Sequence, residues 1–246
     1  MLKNDQRPNR RKEKRVSKKR KMNRELIHIA RASKLILTVC YCGPVYMQPD
    51  RSRFRLLQRF LYREVLKNDS SNTSGKRHIS MSGLRPLIGY DLDPNQALSD
   101  FFDVYYTINV QDYTKIMIDI SSFIPAAQVI SPTNATHCRI IAVAAALDFY
   151  SYSAYMQSTQ SSLIPLNRDP VNAFNLTIPM PQPLGEPIVI LLGLSFINGE
   201  IAEPGIPVYC QSVKIIHVEN ATPKTQTQIQ APTNAQSQTY TQTQTP

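Results

Sequence analysis

The sequence of 246 residues has no Trp, only 8 Gly and only 4 Cys, and each scarcity excludes a class of protein. With so few glycines, the chain has little of the backbone freedom that phosphate-cradling loops need. The cysteines are too few for a disulfide scaffold and lack the paired spacing of a zinc ribbon. We therefore predict reduced and mostly buried thiols at Cys40, Cys42, Cys138 and Cys210.

Long hydrophobic runs are missing as well. No apolar run approaches the roughly 18 residues that a membrane span needs. The stretch 35–42 (LILTVCYC) is too short for a secretory signal, and His28, Arg31 and Lys34 interrupt the sequence before it. We therefore expect a cytoplasmic protein without a membrane span, with export as the alternative.

Motifs that identify a reaction are absent too, since neither a G-x-S-x-G elbow nor a glycine-rich phosphate loop occurs. His137, between Thr136 and Cys138, is expected to hydrogen-bond the turn before it. Asp91, Asp93 and Asn95 have the spacing of the first EF-hand ligands, but the twelfth position lacks the required glutamate. We predict no catalytic residue, no metal site and no cofactor, and hence a protein that is not an enzyme.

Positive charge is concentrated at the N-terminus. The chain has a formal net charge of +10, and residues 1–24 hold 12 Lys or Arg against Asp5 and Glu13. The remaining residues therefore sum to zero, with an excess of cations over 25–85 and of carboxylates over 86–246. Residues 1–24 contain almost nothing to bury, so we predict a disordered basic arm attached to a folded body.

Such an arm attracts polyanions, and flexible Lys and Arg side chains contact phosphates without reading base edges. We expect non-specific nucleic-acid contact through Arg7, Arg10, Arg11, Lys12, Lys14, Arg15, Lys18, Lys19, Arg20, Lys21 and Arg24. The arm has no aromatic residue, so stacking on unpaired bases is not expected from it. A merely solubilising tail is the alternative.

Two helices are predicted after the arm, over 25–39 and 52–67. In the second, Phe54, Leu57, Phe60, Leu61 and Val65 share one arc, and Asp50 or Ser52 can cap the start. Five cations cover most of the opposite arc, namely Arg51, Arg55, Arg59, Arg63 and Lys67. This stripe is typical of a solvated helix face, with a binding surface as the alternative. Arg53 is the exception, because it points towards the apolar arc.

From residue 101 onwards the hydrophobic period changes to two, which predicts strands. We expect strands over 101–110, 116–120, 138–149, 171–178, 187–197 and 207–218, with 138–149 central because it is apolar on both faces. Strands without intervening helices predict a mainly β (α+β) fold built on an antiparallel β-sandwich. The predicted organisation is a basic arm (1–24), a helical region with linker (25–85), the sandwich (86–219) and a disordered Thr/Gln/Pro tail (220–246).

Several short motifs occur in a fixed order: Ala32–Leu35, Gly75–Arg77, Leu87–Asp93, the turn Pro132–His137 followed by Asp148–Phe149, and the strand 189–196. In this layout, residues 24–218 resemble a group of Bacteroidetes proteins of about 200–280 residues for which no function is known. The chain departs from the group in its compact basic N-terminus and in having Asn134 where a Gly is expected. The resemblance implies the β-sandwich-like region and a bacterial setting, and it carries over no site residue.

Two functions are compatible with these features. The first is a structural or interaction protein whose basic arm contacts nucleic acid, with a second copy of the chain as a further candidate partner. Its layout is similar to that of small viral coat proteins, by analogy only. The alternative is a sandwich that binds a carbohydrate or a protein through a tyrosine-bearing patch, for which Tyr105/Tyr106 and Tyr150/Tyr152/Tyr155 are the candidates.

Overall fold

The computed structural model describes residues 9–42, 47, 49–68, 77, 79, 81–111, 115–180, 186–198 and 210–219, with the backbone alone for 9–22, 42 and 81–82. The longer helices are α1 (Asn9–Cys42) and α2 (Arg51–Phe60), which a π-helical segment (Leu61–Leu66) continues. The shorter ones are a 3-10 helix (Met81–Leu87), α3 (Leu98–Phe101) and α4 (Pro125–Gln128). The predicted linker 68–78, apart from Asn68 and Arg77, and the predicted tail 220–246 lie outside the described residues.

Helix α1 begins earlier than the sequence predicted. Residues 9–24 were expected to belong to a disordered arm, but their backbone is helical and continuous with the predicted helix 25–39. The physical reason is that 9–42 contains neither Gly nor Pro and is rich in Lys and Arg, which are good helix formers. Because nucleation is the costly step, a helix fixed by packing at one end extends readily into such a segment. Residues 1–8 lie outside the described part of the chain.

Helix α2 confirms the predicted amphipathic pattern. The Asp50 carboxylate accepts a hydrogen bond from the Ser52 backbone N–H at 2.8 Å, as expected for a cap. Leu57, Leu61 and Val65 are buried. All five cations of the predicted stripe are exposed. The helix therefore packs on its apolar arc and turns its basic arc outwards.

The strands, all paired antiparallel, form two sheets. One sheet has three strands in the order β1-β2-β6, and the other has the order β4-β3-β7-β8 with β5 paired to β3. In chain order the strands are β1 (Tyr106–Gln111), β2 (Lys115–Ile120), β3 (His137–Asp148), β4 (Ser153–Gln160), β5 (Ile164–Pro165), β6 (Phe174–Pro179), β7 (Ile188–Ile197) and β8 (Cys210–Glu219). The predicted mainly β, antiparallel class is confirmed.

Strand β3 is central and covered on both faces, as its sequence predicted. It lies between β4 and β7. Ile141, Val143 and their neighbours at odd positions belong to one apolar core, whereas Ile140 and Ala142 belong to a second. A strand with two buried faces needs a cover on each side, and the molecule therefore has three layers.

The two covers are different in kind. The helices α1 and α2 pack on one face of the five-stranded sheet, and their buried residues share a single core with β3, β7 and β8. The three-stranded sheet covers the opposite face. The predicted helical region therefore shares one hydrophobic core with the five-stranded sheet and is not a separate domain.

Within the described residues, no helix is long and apolar enough to cross a membrane.

The two edges of the five-stranded sheet differ in whether another segment pairs with them. Residues 89–92 run along β8, where the Gly89 N–H donates to the Ile215 carbonyl at 2.8 Å and the Leu92 N–H to the Val213 carbonyl at 2.9 Å. Gly89 has φ +87°, a backbone conformation that glycine adopts without steric cost. The other edge is strand β4, which was not predicted from the sequence, because in SAYMQSTQ apolar and polar residues do not alternate.

Candidate functional site

A cavity of about 450 Å³ lies between helix α1 and strand β4. Its α1 wall is formed by Arg31, Lys34, Leu35, Thr38 and Val39, and its opposite wall by Tyr152 of the β3–β4 turn and by Ala154 and Met156 of β4. The α1 residues recur at the three- and four-residue spacing that places side chains on one helix face. The β4 residues alternate, so they share one face of the sheet.

The cavity has an apolar floor and a basic rim. Leu35 and Val39 are buried, whereas Arg31, Lys34 and Thr38 are exposed. Among the described residues that line the cavity, none carries a negative charge. An anion with an apolar or flat portion therefore matches this arrangement better than a cation does.

Tyr152 holds an unusual position at the edge of the cavity. Its φ of +58° lies in the left-handed region, which residues other than glycine seldom adopt. Its hydroxyl oxygen lies 2.7 Å from His28 Nδ1, and the Arg31 guanidinium carbon lies 5.3 Å from its ring centroid. These contacts fix the orientation of an aromatic ring whose backbone is strained.

His28 connects this ring to the rest of the body. Its Nε2 accepts a hydrogen bond from the Ile79 backbone N–H at 3.0 Å. A neutral imidazole must then carry its hydrogen on Nδ1, which donates to the Tyr152 hydroxyl oxygen. The His28 and Tyr152 rings also meet edge to face, with centroids 5.9 Å apart. A single buried histidine therefore ties α1 to two distant segments.

A second cavity of about 230 Å³ lies beside His28 and includes the carboxylates of Asp148 and Glu186 in its lining. Asp148 shapes the β3–β4 turn, accepting hydrogen bonds from the N–H groups of Tyr150 at 2.7 Å and Ser151 at 3.1 Å. The negative charges thus lie in this cavity and not in the larger one.

The predicted nucleic-acid-binding residues all precede the cavity along the chain. Arg7 lies outside the described residues. Nine others lie on the helical backbone of α1, with side chains that are not described: Arg10, Arg11, Lys12, Lys14, Arg15, Lys18, Lys19, Arg20 and Lys21. Arg24 has an exposed side chain. These cations and the basic rim of the cavity therefore belong to one helix.

Asp91 and Asp93, which have EF-hand-like spacing, serve different structural contacts. Asp91 lies 3.4 Å from Lys214 and accepts the Leu98 N–H at 2.9 Å. Asp93 pairs with Arg53 at 2.6 Å. Over the described ranges, no group of three or more His, Cys, Asp or Glu side chains could hold a metal ion.

The remaining candidates of the sequence analysis are also structural. His137 Nδ1 lies 3.0 Å from the hydroxyl of Thr136, which is the turn contact that we predicted. Cys40, Cys138 and Cys210 are buried, free thiols, as expected, and Cys42 lies outside the described side chains. Burial raises the pKa of both Cys138 and Cys210 to about 12, which keeps them protonated and unreactive at neutral pH.

The tyrosine groups of the alternative function are dispersed. Tyr105 and Tyr150 are largely exposed, whereas Tyr106 packs against the core between the sheets. Only Tyr152 lines the large cavity. The position of Arg31 and Lys34 at the cavity rim was not predicted, since an i, i+3 pair of cations on a helix is too common to single out.

Comparisons with protein families, with curated proteins and with solved structures found no match.

Proposed function

We propose that this chain is a structural or interaction protein, not an enzyme, that binds nucleic acid without sequence specificity through the basic N-terminal half of α1. The observation that carries the proposal is the +10 charge of residues 1–24, attached to a remainder that sums to zero. The free, buried thiols of Cys40, Cys138 and Cys210 support the proposal that the protein is located in a reducing compartment such as the cytoplasm.

The helical backbone sets the density of this charge. Residues 9–24 hold ten Lys or Arg against Glu13. At about 1.5 Å rise per residue, these sixteen positions span roughly 24 Å. The helix therefore carries a net positive charge about every 2.7 Å, and duplex DNA carries one negative charge about every 1.7 Å of its axis. The two densities are of the same order, which favours electrostatic association of the segment with a duplex.

Further cations extend the basic surface onto the folded body. Arg24, Arg31 and Lys34 are exposed on the same helix. In the described part of the chain, no carboxylate pairs with them. Unneutralised charges at a protein surface raise the local potential and steer polyanions towards it.

The test is the salt dependence of duplex binding by the full chain, measured by fluorescence anisotropy between about 50 and 300 mM salt. With eight to ten phosphate contacts, log K should fall against log salt with a slope of roughly −7 to −9. A variant with Lys18, Lys19, Arg20 and Lys21 changed to Gln should lose at most about four contacts. Its slope should therefore become shallower, by up to roughly 3.6.

The matched control removes four exposed cations from α2 and its π-helical continuation, with Arg51, Arg55, Arg59 and Arg63 changed to Gln. If the α1 segment makes the contacts, this control keeps most of the original slope. Weak binding with a flat salt dependence, or equal changes in both variants, would refute the assignment of the contacts to α1.

A further inference from the structure

The cavity between α1 and β4 combines two features that the basic segment 1–24 lacks: an apolar floor and an aromatic ring. Electrostatic contact with phosphates by itself gives no preference for a single strand, because the duplex has the higher charge density. A cavity that accepts a base does favour the single strand, since a duplex base must first be unpaired and unstacked at a cost of a few kcal/mol. The inference below rests on the proposed function and specifies the form of nucleic acid.

Size and access fit one nucleotide unit. Ligand cavities in proteins measure about 300 to 1,000 Å³, and this one measures about 450 Å³. Met156 and the buried Leu35 and Val39 supply apolar surface on two sides. The exposed Arg31 and Lys34 lie where a phosphate attached to an inserted base would remain in solvent.

The arrangement of Tyr152 is the second observation. A bulky residue with φ +58° is strained, and such outliers persist where the surroundings hold them. Here the His28 ring fixes the hydroxyl, and the Arg31 guanidinium lies over the ring. A ring already held in place loses little side-chain entropy when a base packs against it.

We propose that this cavity binds a nucleotide unit of single-stranded nucleic acid, with the base beside Tyr152 and Met156 and the phosphate at Arg31 and Lys34. The cavity would then give the protein a preference for unpaired strands that its basic segment cannot supply. Its position on α1 places it directly downstream of the basic segment, so one strand can contact both.

The experiment compares an oligo(dT) strand with a duplex of the same length at equal salt, using the full chain. The double variant R31Q/K34Q and the single variant Y152N remove the two parts of the site. Asn is chosen because it tolerates a positive φ, so the turn is retained without the ring. Y152F keeps the ring and removes only the bond to His28.

Two controls separate the cavity from general electrostatics and from unfolding. The variant R55Q/R59Q removes the same charge as R31Q/K34Q from the exposed arc of α2, and so it should leave the single-strand preference unchanged. Circular dichroism melting of each variant shows whether the fold is retained. Y152F should keep the preference within about twofold, even if its melting temperature falls.

We expect Y152N to lower single-strand affinity at least about fivefold, with duplex affinity changed about twofold or less. R31Q/K34Q removes two cations of the basic surface, so it should lower affinity for both nucleic acids, with the larger loss for the single strand. Equal losses for both nucleic acids, or no loss of single-strand affinity, would overturn the cavity assignment and leave the proposed function intact. A flat salt dependence of duplex binding would instead refute the proposed function. In that case the cavity is tested with free dAMP by NMR: binding that Y152N abolishes supports it, and stronger binding of decanoate overturns it.

Discussion

Replacing Arg53 with Met tests the ion pair that joins helix α2 to the segment 91–95. The Arg53 guanidinium donates to the Asp93 carboxylate from Nη2 at 2.6 Å and from Nε at 3.2 Å. The other carboxylate oxygen of Asp93 accepts the Asn95 N–H at 3.0 Å. In R53M the mostly buried Asp93 carboxylate therefore keeps its hydrogen bond from the Asn95 N–H but loses its cationic partner.

The expected cost follows from the burial of the pair. Removing one partner of a buried pair costs about 3–5 kcal/mol. Because the two side chains keep relative exposures of 14% and 12%, we expect the lower end, about 3 kcal/mol in the free energy of unfolding. For a chain of this size, about 2–4 °C is lost per kcal/mol, so the melting temperature should fall by roughly 6–12 °C.

Urea unfolding followed by circular dichroism measures this loss. The control R55M lies on the exposed arc of the same helix and should change stability by less than about 0.5 kcal/mol. The double variant R53M/D93N removes both charges and should recover part of the loss, since an unpaired amide is cheaper to bury than an unpaired carboxylate. A loss below about 1 kcal/mol in R53M, or additive effects in the double variant, would show that the pair contributes little.

Two further predictions concern the core. In G193A the new Cβ would lie 3.1 Å from Cys210 Sγ, so we expect the free energy of unfolding to fall by about 1–2 kcal/mol. In urea unfolding, the double variant G193A/C210A should lose less stability than the two single variants lose together. Additive losses would contradict this contact. In a C42S variant, Cys40, Cys138 and Cys210 should resist DTNB at about pH 8 and react in urea, whereas rapid reaction of the folded protein would contradict their burial. Because burial raises the pKa of Cys138 and Cys210 from 9.0 to about 12, the folded state favours the neutral thiols, so this contribution is complete below pH 9 and is lost as the pH rises towards 12.

Local sequence pattern was enough for most of the fold. The alternation of Ile116, Ile118 and Ile120 predicted β2, and the doubly apolar run in β3 predicted a central, covered strand. Both predictions hold because each depends on which faces of one segment are buried. Strand β4 was missed for the same reason: at the end of the sheet, its polar residues leave no such pattern.

The start of α1 shows a different limit. Residues 1–24 contain few apolar side chains, so their composition predicted a disordered arm. The helix nevertheless starts at Asn9, because its packed part supplies the nucleus from which it extends. The helix propensity of residues 9–24 could be read from the sequence. The packing of the later part of α1, which stabilises the whole helix, could not.

The candidate site also has one part that the sequence predicted and one part that depends on the fold. The sequence by itself determined the +10 charge of residues 1–24, from which we predicted binding to polyanions. Only the tertiary structure decided that α1 crosses β4, placing Arg31 over the ring of Tyr152 and His28 against its hydroxyl. Charge is a property of composition and can be counted. A cavity depends on contacts between segments more than a hundred residues apart, which no local period encodes.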